Sequence, residues 1–170
     1  MEAVELHDVG SAQWDAVLDG EQHAWGGDAE DLAWARKTHH VGVLDDDGRP
    51  LALAGALVAQ VAVAGGDPFP VVGIGGVIVT RSRRGQGLGR DVVTAVMTMA
   101  RGMGPERAML FCRQRLMALY ARFGFLAIEA DVTAEQPSGR ITVPMRAMWA
   151  PLVPGADWPA GEVAVLGEPF

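Results

Sequence analysis

The chain has 170 residues, enough for one domain with a substantial core. A hydrophobic share of 49% against 21% charged residues excludes a disordered chain. A net charge of −7 speaks against a general nucleic-acid binder, which needs a basic face to displace counterions, and favours a cationic partner instead.

In chain order, "MEAVELHDVG" is acidic and lacks the apolar run of a secretory signal. "AVELHDV" reads as a first strand, and "SAQWDAVLDGEQHAW" as a helix with Ser11 as N-cap. "DAEDLAWARKTHH" predicts a second helix from Asp28, with acids in its first turn and basic residues late. "HVGVL" leads through "DDDGRP" into "LALAGALVAQVAV", two strands joined by an Asp-Gly hairpin turn. That apolar stretch is broken by Gln60 and is shorter than the ~20 residues of a membrane helix, so no membrane partner and a cytoplasmic location are expected. The single Cys112 fits the same compartment, since no intrachain disulfide can form. His39 and His40 would point to opposite faces of a strand and cannot chelate together, so no metal is expected.

After the turn "GGDPFP" comes the strand "VVGIGGVIV", whose three glycines mark a bulge or a close approach of another backbone or a ligand. "TRSRRGQGLGR" follows, and then an amphipathic helix with Val92, Val93, Val96 and Ala100 on one face, ended by Gly102 and Gly104. Glycines and arginines thus sit where a strand gives way to a helix. There the first-turn N–H groups lack partners and the dipole favours an anion, so a phosphate cradle is the sharper reading beside a merely solvated basic turn. The Walker pattern fails because Gly89 is followed by Arg90 and Asp91, and the dinucleotide pattern fails because it would need a glycine at position 90.

The spacing RxxGxG, Arg84 to Gly89, resembles the pyrophosphate loop of the GNAT superfamily of acyl-CoA-dependent N-acyltransferases. Downstream, "RAMLFCRQRLMALYARFGFLAI" resembles that superfamily's second motif, with LYxxxGF at Leu119, Tyr120, Gly124 and Phe125. The resemblance runs over Val71 to Ile128 in the order strand, RxxGxG, helix, strand, LYxxxGF helix, strand. It implies an α/β (α+β) fold, a mixed and mostly antiparallel sheet flanked by helices, whose two central parallel strands, near Val71–Val79 and Ala108–Cys112, splay apart. One domain is implied over 1–170, with the acyl-CoA core at about 71–128 and a C-terminal strand and tail at 140–170.

By the same resemblance, the backbone of Val77, Ile78 and Val79 would bond the pantetheine arm of acetyl-CoA. The amides of Gly85, Gln86, Gly87, Leu88, Gly89 and Arg90 would hold the pyrophosphate, with Arg84 or Arg90 adding charge. Tyr120, the only tyrosine, stands at the general-acid position, to protonate the departing thiolate; the plainer alternative is an aromatic packing against Leu116, Leu119 and Phe123. Arg113 replaces the asparagine that many relatives carry, and Ala108, Gly75 and Gly76 stand where some carry a glutamate base. Candidate bases elsewhere are Glu129, Asp131, Glu21, the pair His39 and His40, and the terminal carboxylate of Phe170.

The last strand is expected at about Arg140 to Trp149, with a proline-rich tail behind it. "DWPAGEV" is similar to the C-terminal ending of aminoglycoside 2′-N-acetyltransferases, which would set a cationic aminosugar against Asp28, Glu30, Asp31 and the tail. The plainer reading is a tail covering a sheet edge or a homodimer partner. Trp25, Trp34, Trp149 and Trp158 read as core or interface. The implied activity is transfer of an acetyl group to a primary amine of a small, cationic molecule; the alternative is a catalytically silent acyl-CoA-binding module.

Overall fold

The computed structural model describes residues 2–170, the side chain of Asp28 excepted. Its strands are β1 (Ala3–Leu6), β2 (His39–Leu44), β3 (Pro50–Val63), β4 (Phe69–Val79), β5 (Arg107–Cys112), β6 (Leu126–Ile128), β7 (Val132–Gln136), β8 (Gly139–Thr142), β9 (Arg146–Pro151) and β10 (Val163–Val165). Its helices are α1 (Ser11–Leu18), α2 (Gly27–Glu30), α3 (Leu88–Arg101) and α4 (Met117–Ala121). One sheet contains all ten strands in the order β6-β9-β5-β4-β3-β10-β7-β8, with β2 on the outer half of β3 and β1 beyond β2. Pairing is antiparallel except at β4–β5 and at β10–β7, which gives the mixed sheet flanked by helices that the resemblance implies.

The long β3 explains how the two halves join. Its first seven residues are buried on both faces, as befits a strand covered by helices on each side, whereas burial alternates after Leu57. α3 lays Val92, Val93, Val96, Met97 and Ala100 against one face, meeting Ala52, Ala54, Val72, Ile74 and Tyr120. α1 covers the opposite face with Val17 on Leu53 and Ile78. Beside it on that face Met109, Phe111, Trp149 and Phe170 form a third cluster.

Local reasons account for most departures from the expected elements. α1 stops at Leu18 because Asp19 and Gly20 turn left-handed (φ 49° and 78°), and its N-cap is Gly10 rather than Ser11. The expected second helix shrinks to the single turn α2. Beyond it the backbone finds tertiary partners instead: Ala33 N donates to Gln136 Oε1 at 2.8 Å, Ala35 N to Pro169 O at 2.7 Å and Thr38 N to Ala56 O at 3.0 Å. The expected strand at 140–149 is broken into β8 and β9 around Pro144, which has no N–H for a ladder. Rather than simply covering an edge, the tail threads β10 between β3 and β7, with Val163↔Val63 and Val163↔Val132 in register. Trp149 and Trp158 lie 5.7 Å apart beneath it, and Trp158 Nε1 is the one buried side-chain polar atom without a partner among the described residues.

Candidate active site

β4 and β5 pair only over Val72↔Ala108, Gly73↔Met109 and Ile74↔Leu110. Beyond that point β5 continues toward β9 through Phe111↔Ala147 and Cys112↔Arg146, while β4 stays with β3. A bulge in β4 drives the parting: Gly76 and Val77 together oppose the single residue Ala54, and Gly76 takes φ 62°. A side chain at Gly76 would also collide with Trp14, 2.8 Å from the missing Cβ. The result is a cleft of about 110 Å³ walled by Gly75, Gly76 and Val77 on one strand, Leu110 and Cys112 on the other, and Tyr120 from α4. The β5-facing edge of β4 from Gly75 to Val79 therefore keeps main-chain groups free of sheet partners, although Val79 O already accepts from Arg84 Nε at 3.1 Å.

Past the end of β4, with Gly89 against Val79, α3 begins. Gly85 and Gly87 adopt φ 79° and 89°, and a Cβ on either would meet nothing within 4 Å, so the loop opens to solvent. Gly87 is the N-cap; the amides of Leu88, Gly89 and Arg90 form the first turn with no side-chain cap upon them. This is a fit for an anionic group: free donors, a helix of 14 residues behind them and no Cβ at the two glycines that turn the chain. Of the side chains expected to add charge, Arg84 is already occupied, since its guanidinium forms a two-pronged pair with Glu21. Arg90 lies instead beside Asp91 in a groove between α3 and β1.

Tyr120 is buried and stands edge-on to Phe125, ring centres 6.0 Å apart; Leu119, expected as a packing partner, is exposed. Burial, with the Cys112 thiol beside it, pushes the phenol above its ordinary range, so it holds its proton at neutral pH. Burial likewise pushes the Cys112 thiol up to about 11, against the pull of Arg146.

The candidate bases separate clearly. The bond from Arg84 holds the Glu21 carboxyl below the usual carboxylate range, which makes it a poor proton acceptor. Glu129 is exposed and paired with Arg146 at 3.1 Å, and Asp131 is exposed. His39 is exposed and bonds Thr38, whereas His40 packs against Trp14 and is pushed down by burial and by Lys37, hence neutral near pH 7. Phe170 is buried: its ring fills the space left by Gly73, and its main-chain carbonyl carbon would be 2.8 Å from a Cβ at Gly75.

On this second face of β4 lies a feature the sequence reading missed. Lys37, hidden there inside an expected helix, runs alongside Gly75: a Cβ at that glycine would stand 2.8 Å from Lys37 Cε and 3.3 Å from Nζ. It lines a cavity of about 430 Å³ with Trp14, Trp25, Trp34, Phe111 and Phe170, whose wall includes Gly75 and Gly76. Arg113, in the place of the expected asparagine, donates from Nε to Trp25 O at 2.9 Å and so fixes the loop that carries Trp25. The glutamate position on β4 is thus vacant for a steric reason, because Lys37 and Phe170 fill the room a side chain there would need. Of the proposed acidic patch, the side chain of Asp28 lies outside what the structure describes and Glu30 is bonded to His23 at 2.7 Å. Among the described residues no group of three or more His, Cys, Asp or Glu has a metal-binding arrangement, and no helix is long and apolar enough to cross a membrane.

Comparison with known proteins agrees with this geometry. The family model for the acetyltransferase (GNAT) family matches residues 6–125. The chain is similar in structure to the GNAT family N-acetyltransferase YhbS from Escherichia coli in complex with CoA, with TM-score 0.62, 21% identity and coverage of 99% of this chain and 96% of that one. It also resembles an aminoglycoside 6′-N-acetyltransferase complexed with coenzyme A (TM-score 0.60, 14% identity, 92% and 100% covered). A third similar structure is the ribosomal-protein-S18-alanine N-acetyltransferase from Escherichia coli (TM-score 0.56, 17% identity, 93% and 99% covered). No curated protein sequence matches the chain. At these identities the structural likeness speaks to the fold alone.

Proposed function

The chain belongs to the acetyltransferase (GNAT) family, and from that premise we propose that it transfers an acetyl group from acetyl-CoA to the primary amine of a small molecule, by direct attack in a ternary complex. The observation that carries this reading is the parting of β4 from β5 after Ile74↔Leu110, with the open N-terminus of α3 just past the end of β4 and Tyr120 in the cleft wall. Acetyl-CoA would supply the acyl group as an activated thioester.

The chain's own groups have distinct tasks. Val77, Ile78 and Val79 would present their free edge to the pantetheine amides, and the amides from Gly85 to Arg90 would bind the pyrophosphate. Tyr120, kept protonated by burial, would hand a proton to the sulfur as the C–S bond breaks. The amine enters from the opposite side, over Gly75 and Gly76, through the aromatic cavity. It attacks only when uncharged, and the neutral His40 stands two strands over on β2, its ring against Gly55 of β3, which pairs with Gly75.

The test is CoA release from acetyl-CoA, read by a thiol reagent, across polyamines, aminosugars, amino acids and peptide N-termini. Amine-dependent release is expected. Binding of CoA without release for any amine would overturn the reading in favour of a silent acyl-CoA-binding module.

A further inference from the structure

We infer that the acceptor is an amine that carries a carboxylate on a flat apolar body, and that the Lys37 ammonium is the carboxylate's partner in the aromatic cavity beside Gly75. The inference rests on the transferase reading for the amine, but the anion site stands on observations of its own.

The first is charge. The whole chain carries −7, yet the charged groups gathered on the acceptor side are chiefly basic. Lys37 lines the aromatic cavity, and Arg113, Arg115 and Arg146, the last paired with Glu129 at 3.1 Å, line an adjoining one of about 710 Å³ that shares Trp25, Ala29 and Met145 with it. The acid in the aromatic lining, Glu30, turns both carboxylate oxygens to His23, at 2.7 and 2.8 Å. An acceptor with several positive charges would meet repulsion here, contrary to the expectation drawn from net charge.

The second is an unbalanced cation. Lys37 donates to Ala35 O at 2.9 Å and forms no ion pair among the described residues. The titratable and charged groups around it are His40 of β2, Arg36 next to it and Glu30 of α2, and the main chain of Phe170 passes beside it. An ammonium taken out of water without a counterion is costly, and a ligand carboxylate offsets that cost. Burial accordingly pushes Lys37 down to about 8.

The third is shape. Phe111 and Phe170 lie 5.4 Å apart, Trp34 meets Phe111 edge-on at 6.4 Å, and Trp14 meets Trp25 edge-on at 6.1 Å. Such walls suit a ring better than a flexible polar chain, and a ring seated on them would lower the local dielectric around a Lys37–carboxylate pair. With Nζ so close to Gly75, a carboxylate on Lys37 sets a neighbouring amine at the cleft where the thioester would lie.

Two measurements on the full chain decide the matter. The first is calorimetric binding of 3-phenylpropionate, which has the ring and the carboxylate but no amine, to the CoA-loaded protein. Binding that weakens tenfold or more in Lys37→Met, is largely kept in Lys37→Arg, and falls as pH rises through about 8 is expected. CoA affinity, measured in parallel, reports that each variant is folded. The absence of 3-phenylpropionate binding, or binding indifferent to Lys37→Met, overturns the inference. The second measurement compares L-phenylalanine with 2-phenylethylamine as acceptors. At least a tenfold preference in kcat/KM for the amino acid, abolished by Lys37→Met, is expected. If instead Lys37 only packs against Phe170 and Gly75, Lys37→Met lowers Tm and leaves that ratio at its wild-type value, which sinks the inference. Turnover that rises through pH 8 without any preference for a carboxylate makes Lys37 a proton acceptor and sinks it too. If 3-phenylpropionate binds through Lys37 and no amine releases CoA, the anion site stands and the transferase reading falls.

Discussion

Replacing Tyr120 by Phe removes one hydroxyl from the wall of the β4–β5 cleft and leaves the ring on Phe125. A tenfold or greater fall in kcat is expected, with CoA affinity within about twofold of wild type, as for the loss of one general acid; unchanged turnover at saturating substrate would remove the acid role. Lys37 carries a second expectation, about stability. Its folded value, about 8, lies below the 10.5 of an exposed lysine, so between these pH values the unfolded chain binds the extra proton. Stability therefore rises with pH through that window, and the cost of the buried charge is felt in full below it. Urea denaturation should show wild type gaining stability relative to Lys37→Met from pH 7.5 to pH 10, by roughly 1 kcal/mol or more; parallel curves for the two proteins would contradict a desolvated Lys37. Tyr120 was legible in the sequence because its motif fixes its place on a helix. Lys37 was not, since only a tertiary hydrogen-bond set, Ala33 on Gln136 and Ala35 on Pro169, holds its segment out of a helix.

At the scale of elements, the junction from β4 to α3 was legible down to single glycines, because its conformation is local. Gly87 sits left-handed at φ 89° whereas Gly89 is already helical, with Val79 Cγ2 an ordinary 3.6 Å from its missing Cβ. Gly87→Ala should cost about 1–2 kcal/mol through left-handed strain and weaken CoA binding, whereas Gly89→Ala should fold as well as wild type; equal Tm for the two variants would refute the assignment. The same reasoning applies to the bulge at Gly76, whose role in parting β4 from β5 the glycine-rich strand announced. What composition could not announce was pairing at a distance. β8 and β9 read as one strand until Pro144 is seen breaking the ladder, and "GEVAV" carries no local sign that it enters the middle of a sheet.

For the molecule as a whole, the family pattern gave the mixed sheet and its parting strands, since both follow from motifs close together in the chain. The sheet's closure does not, because β10 joins β3 and β7 across long separations: Val163 pairs with Val63 and with Val132. Deleting residues 163–170 should leave two bare strand edges and strip Phe170 from Gly73, and the expected product is aggregated or loosely packed, as read by size-exclusion chromatography and a lost thermal transition. A monomer with wild-type Tm would show β10 to be dispensable. The late arrival of this strand also orders events in time. On the ribosome, at about 5–20 residues per second, β3 is made several seconds before the strand that covers its inner edge exists. Loop closure over that span comes late and slowly. The acyl-CoA half of the molecule therefore acquires its local turns and helices early, while a finished sheet, and with it the aromatic cavity, waits for residues 163 to 170.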